Sequence, residues 1–294
     1  MCTLGKKYTN YLLLAPALIL LAIFTIGPLI YTIYLSFFDW NMISPTKTFV
    51  GFDNYTELFQ SETFRKIIFQ TFQYIILFVL LNTVVTYIFA YIIAHLIDKW
   101  KPIYKAAIFT PSVISLVVGS MLFLWILNPV SGPVATVLGW VGLSIPNWTV
   151  TEGTVIVVLS LIVAWKVFGY NFIVLYSGIV GIPNEIIEAA KLDKISKFRI
   201  FTDIIIPMSS ATGFYILIMT IVQGLQYVFT PIRVVTQGGP NYLSSNLIYH
   251  SYQEAFDLFN TGVSAASSVI TLIIFVVLLA LQFLFVERNV YYEN

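Results

Sequence analysis

Six long hydrophobic runs, separated by polar segments, dominate the pattern of this chain. Each run exceeds the roughly 20 residues that a helix needs to cross a hydrocarbon layer of ~30 Å. Because lipid cannot satisfy the edge groups of an open sheet, the runs predict transmembrane helices. They cover approximately residues 11–38, 67–97, 106–127, 154–179, 208–229 and 262–286.

The alternative is a large soluble protein with buried core helices. Soluble helices have a polar face, whereas the segment from Ile270 to Phe285 carries only two polar side chains, Thr271 and Gln282. Composition points the same way, because 59% of the residues are hydrophobic and only 10% are charged. A soluble domain carries about 25% charged residues. The sequence therefore predicts an all-α, polytopic membrane protein with six transmembrane helices.

Charge and cysteine content exclude several other classes. The formal net charge of +1 gives no reason to expect a nucleic-acid partner. Cys2 is the single cysteine, so no internal disulfide framework can form. No small-residue cleavage site follows the first residues, and the first run is therefore expected to be a retained anchor.

The distribution of Lys and Arg predicts the orientation in the membrane. With the N-terminus in the cytoplasm, ten basic residues fall inside and four outside, which is the positive-inside bias. Both termini are then cytoplasmic, and long outer segments lie at 39–66, 128–153 and 231–261. The inner set is Lys6, Lys7, Lys99, Lys101, Lys105, Lys191, Lys194, Lys197, Arg199 and Arg288, and the outer set is Lys47, Arg65, Lys66 and Arg233.

The long inner loop, about 181–207, is rich in charge. From Glu188 to Pro207 it reads EAAKLDKISKFRIFTDIIIP. Pro183 suits an early helical position, and Glu185 and Glu188 favour the positive N-terminal end of a helix. A short amphipathic helix over about 183–192 is predicted, with small residues that let another protein's backbone approach.

Three motifs in this chain resemble one family. Glu188-Ala189-Ala190, followed by Asp193, Phe201, Ile204 and Pro207, resembles the EAA signature of permease subunits of binding-protein-dependent ABC importers. The segments SFFDW at 36–40 with FVGFDNY at 49–55, and TQGGP at 236–240 with YQEAF at 252–256, resemble outer loops of the sugar and glycerol-phosphate (maltose-type) permeases. The chain departs from the family at Lys194, where glycine is usual.

The resemblance implies a type I ABC importer permease (MetI-like) fold, with a single transmembrane permease domain over 1–294. It implies a multi-pass protein of a bacterial or archaeal cell membrane that works with a second permease subunit as a heterodimer, two ATPase subunits and an extracytoplasmic solute-binding protein. ATP and Mg would bind the ATPase subunits, with no cofactor in this chain. With the predicted helix, it leads us to expect ATPase coupling at Glu185, Glu188, Ala189, Ala190, Leu192, Asp193 and Pro207.

No motif for catalysis or nucleotide binding occurs. GxxxxGK[ST], HExxH and GxSxG are all absent, and His95 and His250 are isolated in the sequence. No catalytic residue and no metal site are predicted. ATP hydrolysis is therefore expected on a separate subunit, and the chain itself is not expected to be an enzyme.

Polar side chains within the hydrophobic runs are the candidates for a solute pathway. Lys166 is the only Lys or Arg in the middle of a run, and an intramembrane charge is expected to face protein or a water-filled cavity. Amides and phenols offer hydrogen bonds and stacking to a polyhydroxylated solute, although Asn and Gln also bond helix to helix without touching solute. The candidates are Asn82, Lys166, Tyr170, Asn171, Gln223, Gln226 and Tyr227.

These residues favour a carbohydrate as the solute, either a sugar or an oligosaccharide. The first alternative is a glycerol-3-phosphate or glycerophosphodiester importer, in which Lys166 would be a phosphate counter-charge. An intramembrane enzyme is disfavoured because no acids, bases or metal ligands cluster. An ion-coupled transporter is disfavoured because Asp39 and Asp98 lie only at the ends of the runs.

Overall fold

A computed structural model describes residues 2–97 and 99–285, and side chains from 11 to 284 outside Asp98. By its internal contacts the chain divides into two compact units. The first comprises residues 1–64 and 250–273, and the second comprises 65–249 and 274–294. Asp98 and Arg288, which entered the predictions of charge placement, lie outside the described residues.

The described chain contains five helices long and apolar enough to cross a membrane, and a bent pair that passes the same test together. These correspond to the six predicted runs, so the all-α, six-helix prediction is confirmed. We name them the first to sixth spans: Tyr11–Leu35, Glu62–Leu96, Lys101–Val113 with Leu116–Ile126, Thr154–Val180, Ser210–Thr236 and Thr261–Leu284. The first continues a helix that begins at Cys2, and the helix that contains the sixth is described as far as Phe285.

The third span is not the continuous helix that its apolar sequence predicts. Its two halves meet at 101°, with a 3-10 turn at Thr110–Val113 leading into the bend. Ile114 and Ser115 are extended, with ψ of 138° and 135°. Pro111 has no N–H to continue the ladder and so weakens the helix just before the bend. The apolar pattern could not reveal the break, because apolar residues continue on both sides of it.

Short elements connect the spans. Phe38–Asp39 and Thr48–Phe49 pair as an antiparallel two-stranded hairpin. Several segments contain a π-helical turn. The first span has one at Ala22–Ile26, the second span has two, at Leu80–Val84 and Ile92–Leu96, the inner loop has one at Ile200–Ile205, and the fifth span has one at Ile232–Thr236. The remaining short helices are Asp53–Gln60, Pro133–Gly139, Asn184–Leu192, Lys197–Arg199, Ile206–Met208 and Leu247–Phe256.

In the first unit, Asn54 fastens the hairpin to the end of the first span. Its Nδ2 donates to the carbonyl oxygens of Ser36 (2.9 Å) and Phe38 (3.1 Å). The hydroxyls of Ser36 and Tyr55 lie 2.6 Å apart. The motifs SFFDW and FVGFDNY therefore pack against each other, and these hydrogen bonds give a structural reason for the spacing of the two motifs in the sequence.

In the second unit, a core cluster lies where the second, fourth and fifth spans meet next to the loop 181–207. Tyr87, Phe172 and Ile216 are buried there together with Ile187 of the inner-loop helix. The inner loop is thus packed on the spans by its apolar face.

Candidate functional site

A cavity of about 400 Å³ opens between the third, fourth and fifth spans. Four of the predicted pathway residues line this cavity. They form two pairs, Lys166 with Tyr170 on the fourth span and Gln223 with Tyr227 on the fifth, and the members of each pair are one helical turn apart and so share a face. The complete lining is Phe109, Ser112, Lys166, Val167, Tyr170, Gln223 and Tyr227. Its polar groups are an ammonium, two phenols, an amide and a hydroxyl.

The ammonium of Lys166 is bonded to the break in the third span. Its Nζ donates to the carbonyl oxygens of Ser112 (2.6 Å) and Ile114 (2.7 Å). The Ser112 hydroxyl donates in return to the carbonyl oxygen of Lys166 at 2.9 Å. The charge therefore faces both the cavity and two backbone carbonyls, as an intramembrane lysine requires.

Tyr170, Gln226 and Tyr227 are exposed in this chain. The hydroxyls of Tyr170 and Tyr215 lie 3.4 Å apart, a contact at the long end of a hydrogen bond. Gln226 does not line the cavity, although Gln223 one turn earlier does. The two glutamines therefore have different surroundings despite their spacing.

Asn82 and Asn171 lie away from the cavity lining, in a buried contact between the second, fourth and fifth spans. The Nδ2 of Asn171 donates to the Asn82 carbonyl (3.2 Å) and to the Thr220 hydroxyl (3.1 Å). Asn82 sits within the π-helical turn Leu80–Val84, a local widening that commonly marks functional positions in helices. These hydrogen bonds of Asn171, one of them to the backbone carbonyl of Asn82, join the helices.

The inner-loop helix runs over Asn184–Leu192, with Pro183 at its N-cap, close to the predicted 183–192. Its outer face exposes Glu185, Glu188, Ala189 and Leu192, the last with 83% of its surface accessible. Asp193 and Pro207 are exposed as well. Ala190 differs from the expectation of a surface contact, because it is only 5% exposed and packs with Ile187 into the core.

This helix ends in a Schellman motif. The N–H of Ile195 donates to the Ala190 carbonyl and the N–H of Lys194 to the Lys191 carbonyl, both at 3.0 Å. Lys194 has a φ of 57°, the left-handed conformation that this motif requires at its C′ position. The turn is therefore built in the usual way with lysine in place of glycine.

A buried polar segment after the fifth span was not predicted from the sequence. Ser244, Ser245 and Asn246 are fully buried. Tyr74 of the second span donates to the Ser244 carbonyl at 2.8 Å, and Gln70 donates to the Leu243 carbonyl at 3.1 Å. The TQGGP motif leads into this segment. The three consecutive polar residues that follow it are the feature of the sequence that could have indicated a buried polar segment.

His250 is isolated in the sequence but not in the first unit. Its Nδ1 lies 3.1 Å from the Ser267 hydroxyl and its Nε2 lies 3.5 Å from Glu254 Oε1. Burial lowers the pKa of His250 to about 4. Burial also raises the pKa of Glu254; the hydrogen bond from Asn260 lowers it, and the charge of Glu57 raises it. At neutral pH the imidazole is uncharged.

Comparison with known proteins identifies relatives along nearly the whole chain. Residues 98–290 match the family model described as "Binding-protein-dependent transport system inner membrane component". The chain is 32% identical over 287 residues to the probable ABC transporter permease protein YurN of Bacillus subtilis, covering 97% of this chain and 98% of that one. It is 31% identical over 291 residues to the sn-glycerol-3-phosphate transport system permease protein UgpA of Agrobacterium fabrum, covering 98% and 97%.

Solved structures share the fold at lower identity. A chain of a bacterial ABC transporter involved in the import of the acidic polysaccharide alginate superimposes with a TM-score of 0.82 at 22% identity, covering 97% of this chain and 96% of that one. The alginate transporter in complex with a periplasmic protein that holds an alginate pentasaccharide gives a TM-score of 0.79, also at 22% identity, covering 95% and 93%.

Proposed function

Because the chain belongs to the family of binding-protein-dependent transport system inner membrane components, we propose that it carries a sugar or oligosaccharide across the cell membrane in an ATP-driven ABC importer. It is a transport permease, and the solute is delivered by an extracytoplasmic binding protein. A second permease subunit completes the pore, and two separate ATPase subunits bind and hydrolyse ATP with Mg. The membrane is that of a bacterium or an archaeon, with both termini of the chain in the cytoplasm.

The cavity is the observation that carries the choice of solute. Tyr170, Tyr227 and Gln223 present two rings and an amide on its wall. A hydroxylated ring with an apolar face can stack on such rings and hydrogen-bond to such an amide. The charge of Lys166 is partly compensated by two carbonyls, so a neutral solute does not leave it without partners.

The cytoplasmic docking surface is the outer face of the helix Asn184–Leu192. The charges of Glu185 and Glu188 and the exposed side chain of Leu192 combine there around the small Ala189. Because the other face is packed on the spans, a push on this helix reaches the inner ends of the second, fourth and fifth spans. Closure of the ATPase subunits is thereby coupled to the pathway.

Glycerol phosphate is the second candidate solute. Its support is the ammonium of Lys166, which forms no ion pair with a carboxylate among the described residues. A phosphate oxygen at the remaining N–H would form a charge-assisted hydrogen bond. Relatives whose names specify sn-glycerol-3-phosphate agree with this candidate.

The two glutamines of the fifth span provide a matched test of the pathway. Gln223→Met removes an amide from the cavity wall, whereas Gln226→Met removes one that does not line it. Losing one hydrogen bond of about 1 kcal/mol lowers the maximal uptake rate about fivefold in Gln223→Met. Half-saturation stays unchanged, because the binding protein sets it, and Gln226→Met transports normally.

Uptake is measured with the assembled transporter in liposomes, at equal complex yield. Equal effects of the two substitutions would contradict the assignment of the pathway to this cavity. A neutral oligosaccharide, an acidic oligosaccharide and sn-glycerol-3-phosphate are compared as solutes. Uptake of glycerol phosphate alone would favour the second candidate.

A further inference from the structure

We propose that Lys166 is a positioning residue that holds the break of the third span, so that the shape of the cavity wall depends on its ammonium. The bend brings Ser112 into the cavity lining, and Lys166 bonds to the carbonyls on either side of Val113. The cationic side chain thus acts inside the protein, on the backbone of a neighbouring span. The expected effect of Lys166 on uptake rests on the proposed function, whereas its expected effect on the bend of the third span does not.

The first support is the chemistry of the break. A helix that stops leaves carbonyls without intrahelical donors, and a donor from a neighbouring span can satisfy them. The C-terminal end of the half-span Lys101–Val113 also carries the negative end of its dipole, which favours a cation. An ammonium donating at 2.6 and 2.7 Å to Ser112 and Ile114 satisfies both requirements at once.

The second support is the reciprocal contact on the fourth span. The Ser112 hydroxyl donates to the Lys166 carbonyl, so the two residues are joined in both directions. One turn further, a Cβ on Gly169 would lie 2.5 Å from the Ile108 carbonyl and 2.8 Å from the Phe109 Cα. Glycine therefore lets the fourth span approach the backbone just before the bend. Lys166 and Gly169 together fix the two spans at this point.

A spin-label distance across the bend tests the proposal directly. Ile103 and Val118 are exposed on the two halves of the third span, and Cys2 is the only native cysteine. In a Cys2→Ser background, labels at Ile103→Cys and Val118→Cys are measured in the full chain, with its native partners, in lipid nanodiscs without solute or ATP. The chain with Lys166 gives one narrow distance distribution.

Removing the ammonium is expected to disturb that distribution. In Lys166→Met it shifts or broadens, in Lys166→Arg the original distance remains the main population, and in Gln223→Met, on the same cavity wall, it is unchanged. If Lys166→Met does not accumulate, Lys166→Gln replaces it, with a broadened distribution expected. An unchanged distribution in Lys166→Met, or in Lys166→Gln where that replaces it, overturns the proposal.

Uptake separates positioning from a counter-charge role. A disturbed bend lowers the maximal rate of Lys166→Met at least about tenfold for whichever solutes the unsubstituted transporter accepts, neutral and anionic alike, because two charge-assisted bonds are lost. A loss confined to anionic solutes, with an unmoved bend, overturns the proposal and assigns the ammonium to the solute. If the unsubstituted transporter imports no carbohydrate, the proposed function fails, while the distance measurement still decides the role of Lys166.

Discussion

Lys194 occupies a left-handed backbone position that glycine adopts at lower cost. Its φ of 57° carries a penalty of roughly 1 kcal/mol for a residue with a Cβ. Lys194→Gly relieves this strain and also makes the unfolded chain more flexible, so a gain of at most about 1 kcal/mol in unfolding free energy is expected.

The measurement is thermal unfolding of the purified complex, together with ATPase coupling. Lys194→Asn, which tolerates the same conformation, is the matched control for the loss of charge. A clear destabilisation by Lys194→Gly with the helix end unchanged would show that the lysine side chain contributes more than the strain removes.

His250 makes the stability of the first unit depend on pH. Its pKa of about 4 lies below the ordinary value of 6.5 because burial opposes the charged form. Between these values the unfolded chain binds a proton that the folded chain does not, so stability is fully present above pH 6.5 and is lost as pH falls towards 4. Between pH 6.5 and 5 the loss is on the order of 1–2 kcal/mol.

Glu254 acts in the opposite sense, because its raised pKa means that protonation relieves the cost of burying its charge as pH falls. His250→Gln removes the histidine contribution and leaves that of Glu254. We therefore expect the variant to lose less stability than the unsubstituted chain when thermal unfolding is compared at pH 6.5 and 5. Equal losses in the two proteins would contradict the assignment.

At the scale of elements, the inner-loop helix packs one face on its own spans and exposes the other, which the proposed function assigns to an ATPase subunit. Ala189→Trp places bulk on the exposed face, so insertion and thermal stability are retained while ATPase binding is lost. Ala190→Trp places the same bulk in the core and costs about 1–3 kcal/mol through overpacking. Co-purification with the ATPase and unfolding of the membrane subunit measure the two effects. Normal ATPase binding by Ala189→Trp would refute the docking face.

The sequence predicts elements whose signal is local and misses those that depend on a neighbour. The spans follow from apolar length, and the helix Asn184–Leu192 follows from its proline, acidic residues and alanines. The bend of the third span does not, because Lys166 is more than 50 residues away from the carbonyls that it bonds. For the same reason the sequence could not tell that Lys166 lines the cavity while Asn171 forms a hydrogen bond between helices, since both are polar residues within a span.

At the scale of the whole molecule, the chain is a membrane component of a binding-protein-dependent transport family. The outer face of the inner-loop helix is exposed, as are Tyr170 and Tyr227 in the cavity lining, and the proposed function assigns the first surface to an ATPase subunit and the second to the solute. The family membership implies dependence on a binding protein, and the proposal of a carbohydrate solute rests on the polar lining of the cavity.

Uptake by the purified, reconstituted transporter tests this account most directly. Liposomes containing this chain, the second permease subunit and the ATPase subunits are supplied with the binding protein and a labelled oligosaccharide. The account predicts accumulation that stops when ATP, the binding protein or any one subunit is omitted. Accumulation by this chain alone, without ATP and driven by a proton gradient, would contradict it.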